Sequence, residues 1–353
     1  MMRSRGPSIL LLIVIFQLFF DVQGYGWICW WRFNCRSTFN ANALQRELNE
    51  KLYGQPFVIS TVVQALSAHY SSGARPKRAL SLSFHGPSGT GKNFVSTIVA
   101  NNVLCRGIED TRYTYKIWLG QNFASPSQVQ RNKDHIKNFI EERVAQCKYQ
   151  IFIFDEVDKY HPGVLDVLKQ YMEGFVVNDL DFNYAVFIFL TNAGGNEIEK
   201  LASEKHKAGI TRDKLKVSDF MPLIKNSVYK DTSGGWSSSV LIKNNMIGYF
   251  IAFLPLGQKQ VKECIMAAAH EKGYPELAKN YEFVEKIAKY VEWTYHDGKR
   301  MFSTSGCKGV DEYTGNEIEA YKMKGESRYF SDEFPDCDRT PSYFPNSSCV
   351  RSH

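Results

Sequence analysis

One octapeptide constrains this chain more than any other feature: Gly86-Pro87-Ser88-Gly89-Thr90-Gly91-Lys92-Asn93. It follows a short apolar run of strand character at 80–84 and precedes Phe94, Val95, Ile98 and Val99 at helical spacing. Strand, Gly-rich loop, helix is the context in which such a run binds phosphate. Glycines let backbone N–H groups wrap the phosphates, and the helix N-terminus adds its dipole. All eight residues are expected to line that cradle, with Lys92 reaching the β- and γ-phosphates. A plain Gly-rich turn is the bland alternative. The motif departs from its norm at Asn93, where Ser or Thr usually offers a hydroxyl to Mg²⁺. An amide oxygen can also ligate a hard cation.

Two further apolar runs, 151–154 and 185–190, read as strands covered on both faces by helices. Helical periodicity lies between them, for example at Ile136, Phe139, Ile140 and Val144. Residues 113–119 read as another candidate strand. Alternating strands and helices predict an α/β fold with a mostly parallel sheet. The run at 151–154 ends in Asp155-Glu156. Asp155 is expected to hold the Mg²⁺ shell and Glu156 to polarise an attacking water; two acids capping the next helix is the rival reading. A Glu beside the metal Asp favours hydrolysis by water over transfer to a second substrate. Asn192 follows the third strand in Leu-Thr-Asn-Ala-Gly-Gly, where it either positions that water or simply turns the chain. Gly306-Cys307-Lys308 says little by itself.

The first twenty-four residues read as an address. Arg3 and Arg5 precede an apolar run at 9–20 broken by Gln17, and Val22 and Gly24 are small residues before Tyr25. Residues 1–24 therefore read as a secretory signal peptide. An uncleaved anchor is the rival, because the segment 25–40 is also greasy: Trp27, Ile28, Cys29, Trp30 and Trp31 precede Arg32. Such a cluster suits either a membrane interface or burial. The net charge of +6 is mild for 353 residues and the basic residues are dispersed, so nucleic acid is not an expected partner. The chain has eight cysteines, all beyond residue 24, with no metal-ligand spacing. An oxidising compartment permits disulfides. Asn346-Ser347-Ser348 is a glycosylation acceptor in the tail.

Taken together, the phosphate loop, the Asp-Glu strand, the Asn after a third strand and the trailing helical pattern resemble the AAA+ ATPases. Gly-Thr-Gly-Lys-Asn at 89–93 is similar to the torsins, lumenal AAA+ proteins of the endoplasmic reticulum and nuclear envelope. So are Phe-Ile-Phe-Asp-Glu-Val-Asp-Lys at 152–159, Phe-Leu-Thr-Asn-Ala-Gly at 189–194, Phe-Leu-Pro-Leu at 253–256 and Gly-Cys-Lys at 306–308. The resemblance covers roughly residues 40 to 320. It implies an AAA+ large α/β domain at 41–255, a parallel sheet sandwiched by helices, followed by a small helical domain at 256–325 and a flexible tail at 326–353. It implies ATP and Mg²⁺ as ligands, with Tyr53 and Gly54 against the adenine. Lys308 takes a sensor role usually held by Arg. Cys307 is implied to pair with Cys264, coupling lumenal redox state to nucleotide grip.

Torsins lack their own arginine finger. Between Asn192 and Lys308 this chain has Arg212 and Arg300, neither in an obvious finger context. The resemblance implies a membrane-anchored activator whose lumenal domain donates the Arg, as the lamina-associated polypeptide family does. A homo- or hetero-oligomer with peripheral membrane association is implied too. The functional expectation is an ATPase of the endoplasmic reticulum lumen and nuclear envelope that remodels proteins or membranes and is weak alone. The alternative is a nucleotide-gated chaperone or scaffold with little or no hydrolysis.

Overall fold

The computed structural model describes residues 37–70, 75–104, 117–119, 123–230 and 234–333. The expectations for 1–24 and for 25–36, and those for Cys29, Cys35, Cys105, Cys337, Cys349 and Asn346, lie outside these residues.

Two helices come first, α1 (Ala41–Lys51) and α2 (Pro56–Tyr70). Asn40 starts α1 by accepting from the Ala43 N–H at 3.0 Å, satisfying one of the donors a helix start leaves open. Leu44 and Leu48, four apart, bury one face. There follow β1 (Leu80–His85), α3 (Lys92–Val103), β2 (Ile117–Leu119), α4 (Val129–Gln146), β3 (Ile151–Asp155), β4 (Val186–Thr191), α5 (Gly195–Lys207), α6 (Val217–Lys230) and β5 (Tyr249–Ala252). The strands expected at 80–84, 151–154 and 185–190 are all present, each within a residue of those bounds. Of the run at 113–119, residues 117–119 form a strand and the rest lie outside the described residues.

The sheet order is β2-β3-β4-β1-β5, and every pairing is parallel. Parallel strands need crossover connections, so both faces are covered by helices. The register sorts side chains by type. Ile151 and Ile153 pair with Val186 and Ile188 on one face, and Phe152 and Phe154 pair with Phe187 and Phe189 on the other. The aliphatic face packs with α1, α2 and α3 residues such as Leu44, Val62 and Val99. The aromatic face packs with α4, α5 and α6 residues such as Ile136, Ile198 and Phe220. Ring centroids lie 5.3 Å apart for Phe152–Phe187 and 5.4 Å for Phe154–Phe189. Full burial of each such side chain stabilises the fold by roughly 1.5–3 kcal/mol.

Strand β1 breaks this pattern. Leu80, Leu82 and Phe84 join the aliphatic face, while Ser81, Ser83 and His85 alternate with them and are equally buried. An interior strand of an apolar sheet thus carries a polar stripe that ends at the phosphate loop.

Beyond β5 come α7 (Gln258–Glu271), α8 (Tyr281–Ala288), the hairpin β6 (Trp293–His296) and β7 (Lys299–Ser303), and α9 (Val310–Glu333). The chain divides into two compact units, one drawn from Met1–Val261 and Glu292–Lys308, the other from Lys262–Val291 and Gly309–His353. A single cut after residue 255 is therefore not what the contacts give. The hairpin belongs with the first unit because its Met301 and Phe302 are buried in the aromatic-face core. Asp297 and Gly298 close the hairpin with φ of 47° and 71°, as a two-residue turn matching strand twist requires. In the second unit, Phe283, Val284 and Ile287 bury one face of α8, and Lys286 of that helix pairs with Glu317 of α9 at 2.5 Å. Helix α9 runs to Glu333, past residue 325 where a loose tail was expected to begin. Among the described residues no helix is long and apolar enough to cross a membrane.

Candidate functional site

The C-terminal ends of β1, β3 and β4 lie side by side because the three strands are adjacent and parallel. Each hands its next residues to one place. From β1 comes the Gly86–Asn93 loop. Its Gly91 is the N-cap of α3 at φ 100° and offers no side chain to the helix start, so the first N–H groups of α3 face an incoming anion. Gly89 has φ 72°, and a Cβ there would stand 1.7 Å from the Ser305 carbonyl oxygen. That contact seats residues 303–308 on the loop, with the Cys307 N–H donating to the Gly89 carbonyl at 3.1 Å.

Lys92 draws the loop together. Its ammonium donates to the carbonyls of Gly86 at 2.7 Å and Pro87 at 2.8 Å, and to the Asn192 Oδ1 at 2.9 Å. Burial pushes its pKa down to about 8, against the pull of the Asp155 and Asp158 carboxylates. It is still a cation at neutral pH, and a triphosphate could take over the bonds it now gives to carbonyls. Phosphate therefore fits this cradle: aligned N–H groups, a buried ammonium and a helix start free of a side-chain cap.

From β3 comes Asp155, whose Oδ2 accepts from the Asn93 Nδ2 at 2.8 Å and whose Oδ1 accepts from the Glu156 N–H at 2.8 Å. With its amide N–H on Asp155, Asn93 has its amide oxygen as the ligating atom. Among the described residues no group of three or more His, Cys, Asp or Glu could hold a metal. A carboxylate and one amide oxygen beside a phosphate site still suit Mg²⁺, which takes few protein ligands and completes its shell with phosphates and water. Glu156 sits at φ 54° in the left-handed region, an outlier of the kind that collects at functional sites. Its carboxylate is held at 2.5 Å by Lys159.

From β4 comes Asn192. The Asp158 carboxylate holds it in place: its Oδ1 accepts from the Asn192 N–H at 3.2 Å and from the neighbouring Thr191 Oγ1 at 2.8 Å. The expected residues Lys92, Asn93, Asp155 and Asn192 are thus brought together. Lys308 follows Cys307, whose N–H rests on the phosphate loop; its side chain is exposed and, among the described residues, makes no hydrogen bond or ion pair. Cys147, Cys264 and Cys307 are each disulfide-bonded.

Tyr53 and Gly54 occupy the turn between α1 and α2. The Gly54 carbonyl accepts from Arg212 at 2.7 Å, and the same guanidinium donates to the Pro255 carbonyl at 2.5 Å. The neighbouring Gln55 is fully buried. Its Nε2 donates to the carbonyls of Thr90 at 3.1 Å and Leu254 at 2.8 Å, and its Oε1 accepts from the Leu254 N–H at 2.8 Å. Gln55 closes the segment Leu52-Tyr53-Gly54-Gln55, which the resemblance sets against the adenine, and its amide is taken up by backbone partners; Arg212 lies in no motif spacing and is a structural partner. Arg300 lies 5.5 Å over the Trp293 ring. Asp158, Ser83 and His85 were also passed over. For the last two a signal existed, the alternation Leu-Ser-Leu-Ser-Phe-His in a run that should have been apolar throughout.

A model of the Torsin family matches residues 28–154. A torsin-like protein of Caenorhabditis elegans is 32% identical over 296 residues, 84% of this chain and 82% of that protein. A torsin-like protein of Drosophila melanogaster is 34% identical over 272 residues, 76% of this chain and 79% of that protein. Human Torsin-3A is 31% identical over 287 residues, 80% of this chain and 70% of that protein. Among solved structures, the S. cerevisiae Hsp104–ADP complex is similar in fold, with a TM-score of 0.58 at 20% identity over 84% of this chain. This chain spans about half of that one, 49%.

Proposed function

The chain belongs to the torsin family of AAA+ ATPases, and from that premise we propose that it binds ATP with Mg²⁺ and hydrolyses it to remodel proteins or membranes in the lumen of the endoplasmic reticulum and nuclear envelope. The observation that carries the catalytic reading is the convergence of Lys92, Asn93, Asp155 and Asn192 within hydrogen-bond reach at three adjacent strand ends.

In this reading Gly86–Asn93 wrap the phosphates, Lys92 holds the β- and γ-phosphates, and Tyr53 and Gly54 face the base. Asn93 and Asp155 hold the Mg²⁺ shell; the ion, when bound, supplies positive charge against the charge developing on the phosphates. Glu156, released from Lys159, orients the attacking water, and Asn192 senses the γ-phosphate. Lys308 is the second sensor. The disulfide at Cys307 is its redox control, since the Cys307 N–H rests on Gly89. Arg212 is occupied by two carbonyls and Arg300 lies over Trp293, which supports an arginine donated by the lumenal domain of a membrane-anchored activator. Such a finger is worth about 10³–10⁵ in rate in other nucleotide hydrolases, so the chain alone is nearly silent. Assembly into an oligomer and peripheral contact with the membrane belong to the same reading.

The test is phosphate release from ATP by the chain starting at Tyr25, alone and with solubilised nuclear-envelope membranes. Wild type is expected to be silent alone and active with membranes, Glu156→Gln inactive with ATP still bound, and Lys92→Ala unable to hold nucleotide. Tight ATP binding without turnover under any condition overturns the hydrolytic reading. It would favour a nucleotide-gated chaperone or scaffold, the reading to which the Glu156–Lys159 pair lends weight.

A further inference from the structure

The buried polar stripe of β1 has a destination. Ser81 is absorbed by structure, accepting from the Gly248 N–H at 2.8 Å and donating to the Met246 carbonyl at 3.0 Å. Ser83 and His85 point elsewhere. The His85 Nδ1 lies 2.9 Å from the Ala193 carbonyl oxygen, and its Nε2 lies 2.6 Å from the Ser83 Oγ. A carbonyl only accepts, so Nδ1 carries the proton and Nε2 accepts from the Ser83 hydroxyl. His85 is 0% exposed. Burial first, and then the Lys92 charge, push its pKa down to about 4, so the imidazole is neutral and its tautomer single.

An imidazole in an apolar interior costs free energy that an aliphatic residue at the same position would not. Its position gives it a use. The His85 backbone begins the phosphate loop, and its carbonyl takes the Phe253 N–H at 2.7 Å, tying it to the chain just after β5. Its side chain grips the residue directly after Asn192. The turn bearing Asn192 is thereby held from two sides, by Asp158 on Thr191 and Asn192 and by His85 on Ala193.

We propose that His85, oriented by Ser83, is a positioning residue that sets Asn192 against the γ-phosphate site. It fixes the Asn192–Ala193 turn to the strand from which the phosphate loop springs. This rests on the nucleotide-binding reading above but not on turnover. Without the imidazole, the Ala193 carbonyl loses its donor and the turn is held only from the Asp158 side. Grip on the β-phosphate, which depends on the loop and Lys92, stays. Discrimination between a triphosphate and a diphosphate falls.

The test is equilibrium binding of Mg·ADP and of a non-hydrolysable Mg·ATP analogue to wild type, His85→Leu, His85→Asn and Ser83→Ala, with hydrogen exchange of residues 191–195. An Asn amide N–H falls near the Nδ1 position and can replace the donor. His85→Leu is expected to lower the triphosphate-to-diphosphate affinity ratio about ten-fold, the scale seen when a residue orienting a functional group is lost. ADP affinity stays within about two-fold, under half of one 1.4 kcal/mol decade. Exchange at 191–195 rises, and His85→Asn restores both. An unchanged ratio in folded His85→Leu overturns the proposal, as does an equal loss for both nucleotides, which would make His85 a stability residue only. If His85→Leu does not fold, Ser83→Ala decides. It keeps the imidazole but loses its orienting hydroxyl, and a wild-type ratio there overturns the proposal. A wild type that discriminates the nucleotides yet never turns over sinks the hydrolytic reading and leaves this one standing.

Discussion

The residues that decide behaviour here are buried polar ones, and each has a measurable signature. His85 and His69 are both pushed down to about 4 by burial, from an ordinary 6.5. Between those values the unfolded chain binds protons that the folded chain refuses, so stability is lost as pH falls from 6.5 towards 4. For the fully buried His85 the loss by pH 4.5 is on the order of 2–3 kcal/mol. Urea unfolding at pH 6.5 and 4.5 should therefore show a larger acid loss in wild type than in His85→Asn; parallel losses would contradict a neutral, buried imidazole. At this scale the sequence was legible only where a motif supplied context. Lys92, Asn93, Asp155 and Asn192 stood in recognisable strings. His85 stood next to the phosphate loop and was passed over, because a lone His says nothing until a carbonyl is seen at its Nδ1.

Elements were easier to read than the ties between them. The strands at 151–154 and 185–190 announced themselves as continuous apolar runs, since both faces of a parallel sheet are covered. The hairpin Trp293–Ser303 was missed, although Asp297-Gly298 is a strong two-residue turn signal; the helical domain implied for 256–325 overrode it. Gln55 ties the turn between α1 and α2 to the phosphate loop and, beside Arg212, to the chain after β5. Gln55→Ala leaves the Leu254 N–H and the Thr90 and Leu254 carbonyls without their partner in a dry interior. The expected loss is about 2–4 kcal/mol of unfolding free energy, read as a lower denaturant midpoint with an unchanged slope. A loss under about 0.5 kcal/mol, the range of ordinary surface substitutions, would mean water replaces the amide without cost.

For the whole molecule, the decisive feature is that the chain leaves its first compact unit at Val261, forms α8, returns for the hairpin and Lys308, and leaves again. Residues 303–308 thereby reach the phosphate loop from more than two hundred positions away in sequence, with Gly89 and Ser305 too close for a side chain at Gly89. Because Cys307 is both disulfide-bonded and bonded through its N–H to Gly89, dithiothreitol should weaken Mg·ADP binding about five-fold, the lower range of site-to-site coupling. Cys307→Ser should show the weaker affinity without dithiothreitol and no further response to it. An affinity indifferent to reduction would separate the disulfide from the nucleotide. The sequence by itself determined the fold class, the phosphate loop and the acidic strand end, because each depends on residues contiguous in the chain and on periodicities of two or 3.6. Only the tertiary structure decided that Asn192 meets Lys92, that Arg212 serves Gly54 and Pro255, and that the polar stripe of β1 ends on Ala193. Those contacts join residues 43 to 158 apart in sequence, and a hydrogen bond depends on distance and direction in space, which no local pattern encodes.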